Sequence, residues 1–500
     1  MSKKNILYLL IDAFRFDHFK DPKKSELLAP NISSIIKNGL IKKIVTNGQV
    51  TQVATISLFA QRYPLDYGGY STGIRKFPKS FVELIQKEYE TSFIASTYMT
   101  GPMWRLERGF DNVENLYDKR LPFHRFINHF FSYFLKKEKK KLITKKKLIQ
   151  ILTEEYGTLL SYLAGYKSNL SDLKIPSCIG QFDKKEKESI KKELSILKTD
   201  PEIILKKIKN VPAEEYFYSL GKTQYTTGIL KKLEVKLKFF FSRILSFIFR
   251  ENITLTINRK TVNADEVVHV ASQILKKKKK PWFFMVHIFD LHESQSFSRY
   301  IKIIKLIKYI PRVFLARLKY EKTYTKFHDL ILCYVDECVG HLLKDINLNN
   351  VQVIISGDHG YGWDYKRKYS MNSVWGFKTF YERITIPLIL SKIKKKVGSG
   401  IHDSMSISAT ILELLNIKKH STFLGKSIFK KGNDFCITEA GEPGYADPIN
   451  HNLHYTITTN KYKLMTKLIK NKFEPLYLFN RVNDPYETKN LVHMNKYNKT

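Results

Sequence analysis

The sequence predicts an α/β chain with a mostly parallel central sheet and helices on both faces, on three observations. Near-continuous apolar runs, "NILYLLI" (5–11), "TSFIAST" (91–97), "PWFFMVHIF" (281–289), "VQVIISG" (351–357) and "ITIPLILS" (384–391), alternate with stretches of helical spacing, the pattern of strands covered on both faces. Several of these runs stop at groups able to hold a ligand: Asp12, then "FDLHES", then "GDHG". In doubly covered sheets, functional side chains collect beyond the carboxyl ends of the strands. The composition is that of a globule, 43% hydrophobic over 500 residues with 33 Phe and 29 Tyr, enough for a large core.

Taken in chain order, "NILYLLIDAF" reads as a buried first strand. Its apolar run is too short for a targeting segment and leads directly into Asp12. The stretch "GQVTQVATISLFAQRYP" (48–64) places Thr51 in front of a helix, where it is either the N-cap or a nucleophile. Between 120 and 260 the pattern changes to lysine-dense, aromatic-rich helical segments, read as an insertion on the core. A similar segment, "RYIKIIKLIKYIPRVFLARLKY" (299–320), follows the strand at 281. Ordinary amphipathic packing with a solvated basic face is the favoured reading of these segments, and an interfacial surface for anionic lipid is the other. From about 430 the pattern becomes short strands with turns and a last helix. The expected organisation is a core of 1–119 and 261–429, a helical insertion over 120–260, and a small C-terminal α+β subdomain over 430–500.

Four scattered cysteines and no CxxC pair argue against a disulfide framework and point to a reducing compartment. No run is long and apolar enough to span a membrane. The expectation is a cytoplasmic protein, soluble or peripheral on the inner face of the membrane. The formal charge of +38 attracts polyanions, although a Lys-rich composition alone accounts for much of it. No nucleic-acid module is recognisable, so no specific nucleic-acid partner is predicted.

The chemistry gathers around four residues. Asp358 and His359 follow a strand and precede a glycine, a mixed oxygen and nitrogen set that suits Zn or Mn better than Ca or Mg. Asp12 closes an apolar strand, where a carboxylate is costly unless paired or metal-bound. Thr51 is a poor nucleophile unless a cation lowers the pKa of its hydroxyl. In "HIFDLHES", His292 is the candidate to contact ester oxygens or protonate a leaving group, while His287, inside the strand, reads as a core histidine. Lys378 is placed to neutralise an anion and Glu382 to hold the loop. Asp17 and His18 read as structural.

These residues, in this order, resemble the sulfatase family of the alkaline-phosphatase superfamily. "NILYLLIDAFRFDHF" resembles its opening metal strand, "LLAPNISSIIKNGL" the Pro-Asn helix, and "TQVATISLFAQRYP" the nucleophile helix. "RGFDNV" resembles its Gly-Phe-Asp element. "PWFFMVHIFDLHES" and "VIISGDHGYGW" resemble later site strands, "YVDECVGHLLKDI" the helix between them, and "LYLFNRVNDPYETKNLV" the C-terminal signature. The resemblance implies an ester hydrolase or phosphotransferase holding one divalent metal on Asp12, Thr51, Asp358 and His359. Thr51 stands where sulfatases carry a Cys or Ser converted to formylglycine, with Val53 and Thr55 at the accompanying Pro and Arg positions. Ala13 stands where many carry a second Asp. Thr nucleophiles belong to the superfamily's phosphodiesterases and phosphotransferases, so a phosphodiester is expected over a sulfate ester. The substrate is an anionic ester, on a glycan or a lipid headgroup. The alternative is a catalytically inactive sulfatase-fold protein that binds anionic membrane or glycan surfaces.

Overall fold

A computed structural model describes residues 4–67, 79–97, 100, 106–165, 182–230, 262–278, 281–292, 305–320, 326–361, 379–393, 395–441, 453–469 and 472–492, with five further positions between 233 and 243. Seven strands form the main sheet: β1 (Asn5–Ile11), β2 (Gly39–Val45), β3 (Glu90–Ala95), β4 (Asn112–Asn115), β5 (Trp282–Ile288), β6 (Val351–Gly357) and β7 (Thr385–Ser391). Their order is β2-β7-β6-β1-β5-β3-β4. The pairs of β1 with β5 and β6, and of β3 with β4 and β5, are parallel, and β7 alone runs against the rest. The mostly parallel sheet is therefore present. β2 and β4, which no uninterrupted apolar run announces, close its two edges.

The alternation of side chains along β1 divides the core in two. Leu7, Leu9 and Ile11 face one cluster, completed by the helices Ala264–Leu275 and Lys326–Lys344. Ile6, Tyr8 and Leu10 face the other, completed by Leu58 and Phe59 of the helix Thr51–Ala60 and by the helix Ser404–Leu414. Burial on both faces is why these strands carry continuous apolar sequence.

Two motifs from distant parts of the chain dock together beside this sheet. Asp336, in the long helix, accepts the backbone N–H groups of Asn31 and Ile32 at 3.2 and 2.8 Å and the Asn31 amide at 2.9 Å. The helix Pro30–Lys37 has no side-chain cap of its own, so Asp336 supplies the acceptor that its first turn lacks. Gly340 admits the contact: a Cβ there would lie 2.5 Å from the Asn31 side chain.

The helices Lys145–Leu163, Lys184–Thr199 and Pro201–Asn210 pack with the segment from Leu121 around a core of their own that includes Tyr156, Leu194 and Tyr216. At its centre Lys207 and Glu193 form a buried ion pair. No helix among the described residues is long and apolar enough to cross a membrane.

The tail is a second, antiparallel sheet of β8 (Phe435–Gly441), β9 (Leu453–Thr459), β10 (Tyr462–Ile469) and β11 (Lys472–Asn480). The expected last helix is absent among the described residues. "NDPYET" turns instead: Asp484 accepts from Thr488 and Lys489, and Glu487 has φ 58°, a left-handed conformation that interrupts a helix. The Glu487 carboxylate is held by buried Lys463 and by the backbone N–H of Tyr381, tying the tail to the core.

Candidate active site

The register of the three central strands creates the site. Ile11 pairs with both Ile288 and Gly357, so Asp12, Phe289 and Asp358 leave the sheet side by side at its carboxyl edge. Ala13 then turns the chain at φ 60°, a conformation that costs a non-glycine residue roughly 1 kcal/mol. The turn aims the Ala13 N–H at Asp358 Oδ1, 3.2 Å away. Where many sulfatases have a second carboxylate, this chain supplies a backbone donor.

Thr51 is not the N-cap. Val50 holds that position, in extended geometry and with no side-chain cap bond. Thr51 is the first helical residue. Its Oγ1 lies 2.9 Å from Asp12 Oδ2 and 3.2 Å from His359 Nε2. His359 Nε2 is in turn 3.5 Å from Asp12 Oδ1 and 3.7 Å from Asp358 Oδ2. All four residues are buried. The structure thus brings together Asp12, Thr51, Asp358 and His359. His292 joins them, with a ring nitrogen within 4.8 Å of the nearest Asp12 and His359 ligand atoms, its ring stacked on Phe289. Half-buried among buried neighbours, His292 is the group at the mouth. Lys378 lies outside the described residues.

The donor set fits a cation. His359 Nδ1 is 2.6 Å from the Gly360 carbonyl, which can only accept, so Nδ1 carries a proton and the ring is oriented with Nε2 toward Asp12 and Asp358. Asp12 Oδ1 and Asp358 Oδ2 are buried with no hydrogen-bond partner. Asp12, His292 and His359 present ligand atoms within 4.8 Å of one another, and Asp358 meets this group through His359 at 3.7 Å; buried carboxylate oxygens without donors are costly there in the absence of a positive charge. Burial pushes the Asp12 carboxyl up, but His292, His287 and His359 outweigh it and leave Asp12 below the usual carboxylate range. Burial and the charge of Asp12 raise Asp358. Gly360 lets the loop close: a Cβ there would sit 2.0 Å from the Glu382 carbonyl oxygen, and its N–H donates to the Arg383 carbonyl at 2.7 Å.

His287 is fully buried within β5, as a core histidine would be, and it also reaches the site. Its Nδ1 is 2.8 Å from Ser96 Oγ at the end of β3, and its Nε2 is 3.6 Å from Asp12 Oδ2. A histidine near the carboxyl end of an apolar strand was the available signal. The run itself does not say which of the two sheet faces the ring takes.

A second buried triangle, His18, His328 and Asp329, lies behind the first. His18 Nε2 and His328 Nδ1 are 3.1 Å apart in stacked rings, and His18 Nδ1 is 3.6 Å from Asp329. Asp17 forms an ion pair with Arg15, which also donates to the Tyr361 carbonyl at 2.8 Å. Buried Lys24 interacts with both Asp329 and Asp17. With Arg15 and Lys24 balancing two carboxylates, an added dication would lack compensation, and the cluster contacts Tyr361 through Arg15 and the His328 ring. Asp17 and His18 are both buried in this cluster.

Residues 201–417 match the sulfatase family model. In overall fold the chain is similar to a 2-O GAG sulfatase, with a TM-score of 0.52 at 11% identity over 100% of this chain and 89% of the other. It is equally similar to a Bacteroides thetaiotaomicron protein from a genetic locus for the metabolism of multiple glycosaminoglycans, with a TM-score of 0.52 at 14% identity over 99% and 93%. No curated protein matches the sequence. The sulfatase match over 201–417 and the overall fold agree with the resemblance, and neither speaks to a Thr nucleophile.

Proposed function

We propose, for a chain whose family match and fold are those of the sulfatases, that it is a metal-dependent hydrolase of an anionic ester in which Thr51 is the nucleophile. The observation that carries this reading is the Thr51 hydroxyl, 2.9 Å from Asp12 and 3.2 Å from His359 in a site whose buried Asp12 Oδ1 and Asp358 Oδ2 lack donors. Asp12, Thr51, Asp358 and His359 would hold a divalent cation, for which this mixed set favours Zn or Mn. When bound, that cation supplies charge that favours the Thr51 alkoxide and the developing charge on the ester.

The chain's own groups supply the rest. Thr51 Oγ1, oriented by its hydrogen bond to Asp12, loses its proton to solvent and attacks sulfur or phosphorus. The bond to the leaving oxygen breaks, and His292 is placed to protonate that oxygen. The N-terminus of the Thr51–Ala60 helix adds backbone N–H groups and a favourable dipole for an anion. Water then resolves the Thr51 ester and restores the hydroxyl.

The comparisons weigh toward a sulfate ester, and the preference for a phosphodiester rests on Thr51 alone. A neighbour named a 2-O GAG sulfatase and a formal charge of +38 favour an ester carried on a polyanionic glycan. The test is turnover of aryl sulfate, aryl phosphodiester and aryl phosphomonoester by metal-loaded protein and by Thr51→Ala. A loss of about 10³-fold or more, with fold and metal content retained, supports the reading. Turnover that persists in the variant removes Thr51 from the chemistry, and inactivity of the loaded wild type on every ester favours the inactive binding protein.

A further inference from the structure

The helix Ile310–Lys319 and the turn before it are apolar on two opposite faces. Leu306, Tyr309, Val313 and Ala316 are buried against the core, at the spacing of one helix face. The face that should then be polar carries Ile307, Ile310, Phe314 and Leu318, exposed by 54, 50, 61 and 69%. Their spacing of three, four and four residues makes one continuous outward stripe. The segment 299–320 contains seven Lys or Arg and no Asp or Glu. Lys305 and Lys308 are held at the flank by Asp265 and Glu337, at 2.7 and 2.6 Å. Arg312, Arg317 and Lys319 follow along the same helix.

What would cover this face must be apolar inside and anionic at its boundary. A polyanionic glycan or nucleic acid answers the charge but not the exposed Phe and Leu. A second copy of this chain brings another +38 charge against a segment free of acids, which opposes association. An anionic bilayer answers both: apolar side chains enter the boundary between headgroups and acyl chains while basic groups stay among the phosphates. We propose that this helix docks the protein on an anionic membrane surface, with Ile307, Ile310, Phe314 and Leu318 inserted. The inference is independent of the ester chemistry. Ile229, Leu230, Leu233, Leu237 and Phe240 form another exposed apolar set at helical spacing, in a segment also dense in lysine.

The test is flotation of the full chain with vesicles of phosphatidylcholine and phosphatidylglycerol at 7:3, and with phosphatidylcholine alone. Wild type is expected on the anionic vesicles only. Phe314→Ser with Leu318→Ser, which keeps every charge, is expected to bind at least about tenfold more weakly with an unchanged melting temperature. Phe314→Trp reports independently, through a blue shift and enhanced emission on vesicle addition. Equal binding by the double variant, or no change in the Trp emission, overturns the proposal in favour of charge alone. So does a wild type that ignores anionic vesicles but loses self-association in the double variant, since the occupant is then a second copy.

Discussion

Asp358→Asn distinguishes a cation site from an ionic brace, because the two predict opposite signs. Asp12 Oδ1 and Asp358 Oδ2 lie 3.5 and 3.7 Å from one imidazole nitrogen, both buried. Asp358 is raised by burial and by Asp12. A folded-state pKa above the unfolded value means that the ionised group costs stability at neutral pH. That cost is absent below the unfolded carboxylate range and complete above the raised folded value. Asparagine keeps an oxygen for the Ala13 and His359 N–H groups and removes the charge. In the metal-free chain the variant should gain on the order of 1–3 kcal/mol, as replacements of strained buried charge do. A dication at a thousand times its Kd stabilises wild type by about 4 kcal/mol, and the neutral amide forfeits most of that. The curves should therefore cross: by differential scanning fluorimetry, Asp358→Asn melts above wild type in EDTA and below it in Zn or Mn. A variant that melts below wild type in EDTA would mean that Asp358 is already satisfied by the fold. A metal response that survives the substitution would remove Asp358 from the ligand set.

Two further outcomes follow from the geometry. Gly360→Ala places a Cβ 2.0 Å from the Glu382 carbonyl oxygen, so the loop must move. Overpacking of this kind costs about 1–3 kcal/mol, and because His359 is adjacent, the melting shift on adding metal should vanish too; a lowered melting temperature with an intact metal shift would show that the loop does not position His359. The second buried triangle sets an acid response. Burial holds His18 well below its ordinary value and His328 at about 3, and raises Asp329 to about 6. Between pH 6 and 4 the unfolded chain binds two protons that the folded imidazoles refuse, and the folded Asp329 binds one that the unfolded chain does not. The net loss on acidification is one proton, about 1.4 kcal/mol per pH unit. His328→Gln should flatten that contribution in urea titrations across this range, and an unchanged slope would mean that His328 is protonated in the folded state.

Much of this was legible because the strands are buried on both faces. Continuous apolar runs marked β1, β5, β6 and β7 within a residue or so, and their ends pointed to Asp12, Asp358 and His359. The reversal of β7 was not legible, since an apolar run carries no direction. Nor was the role of His287, whose orientation depends on strand register with β1 and β3. The second buried triangle joins His18 to His328 across 310 positions, and the cap on the helix Pro30–Lys37 comes from Asp336 more than 300 positions away. Such pairings depend on tertiary placement that local spacing does not contain. Among the described residues the last helix is interrupted for a local reason, the left-handed Glu487, whose carboxylate is engaged by a buried lysine.

The strongest argument for a cation comes from what the chain does not do. It has 85 Lys and Arg against 47 Asp and Glu, and it uses lysine to neutralise buried acids elsewhere, as Lys207 does for Glu193 and Lys463 for Glu487. Among the described residues, the groups that act on Asp12 and Asp358 are histidines, His287, His292 and His359, and no lysine or arginine forms an ion pair with either. A fold with basic side chains in such excess would relieve two buried carboxylates with one ammonium group if structure were the only demand. Under the proposed reading, two buried carboxylates without an ammonium partner among the described residues are what a bound cation would relieve.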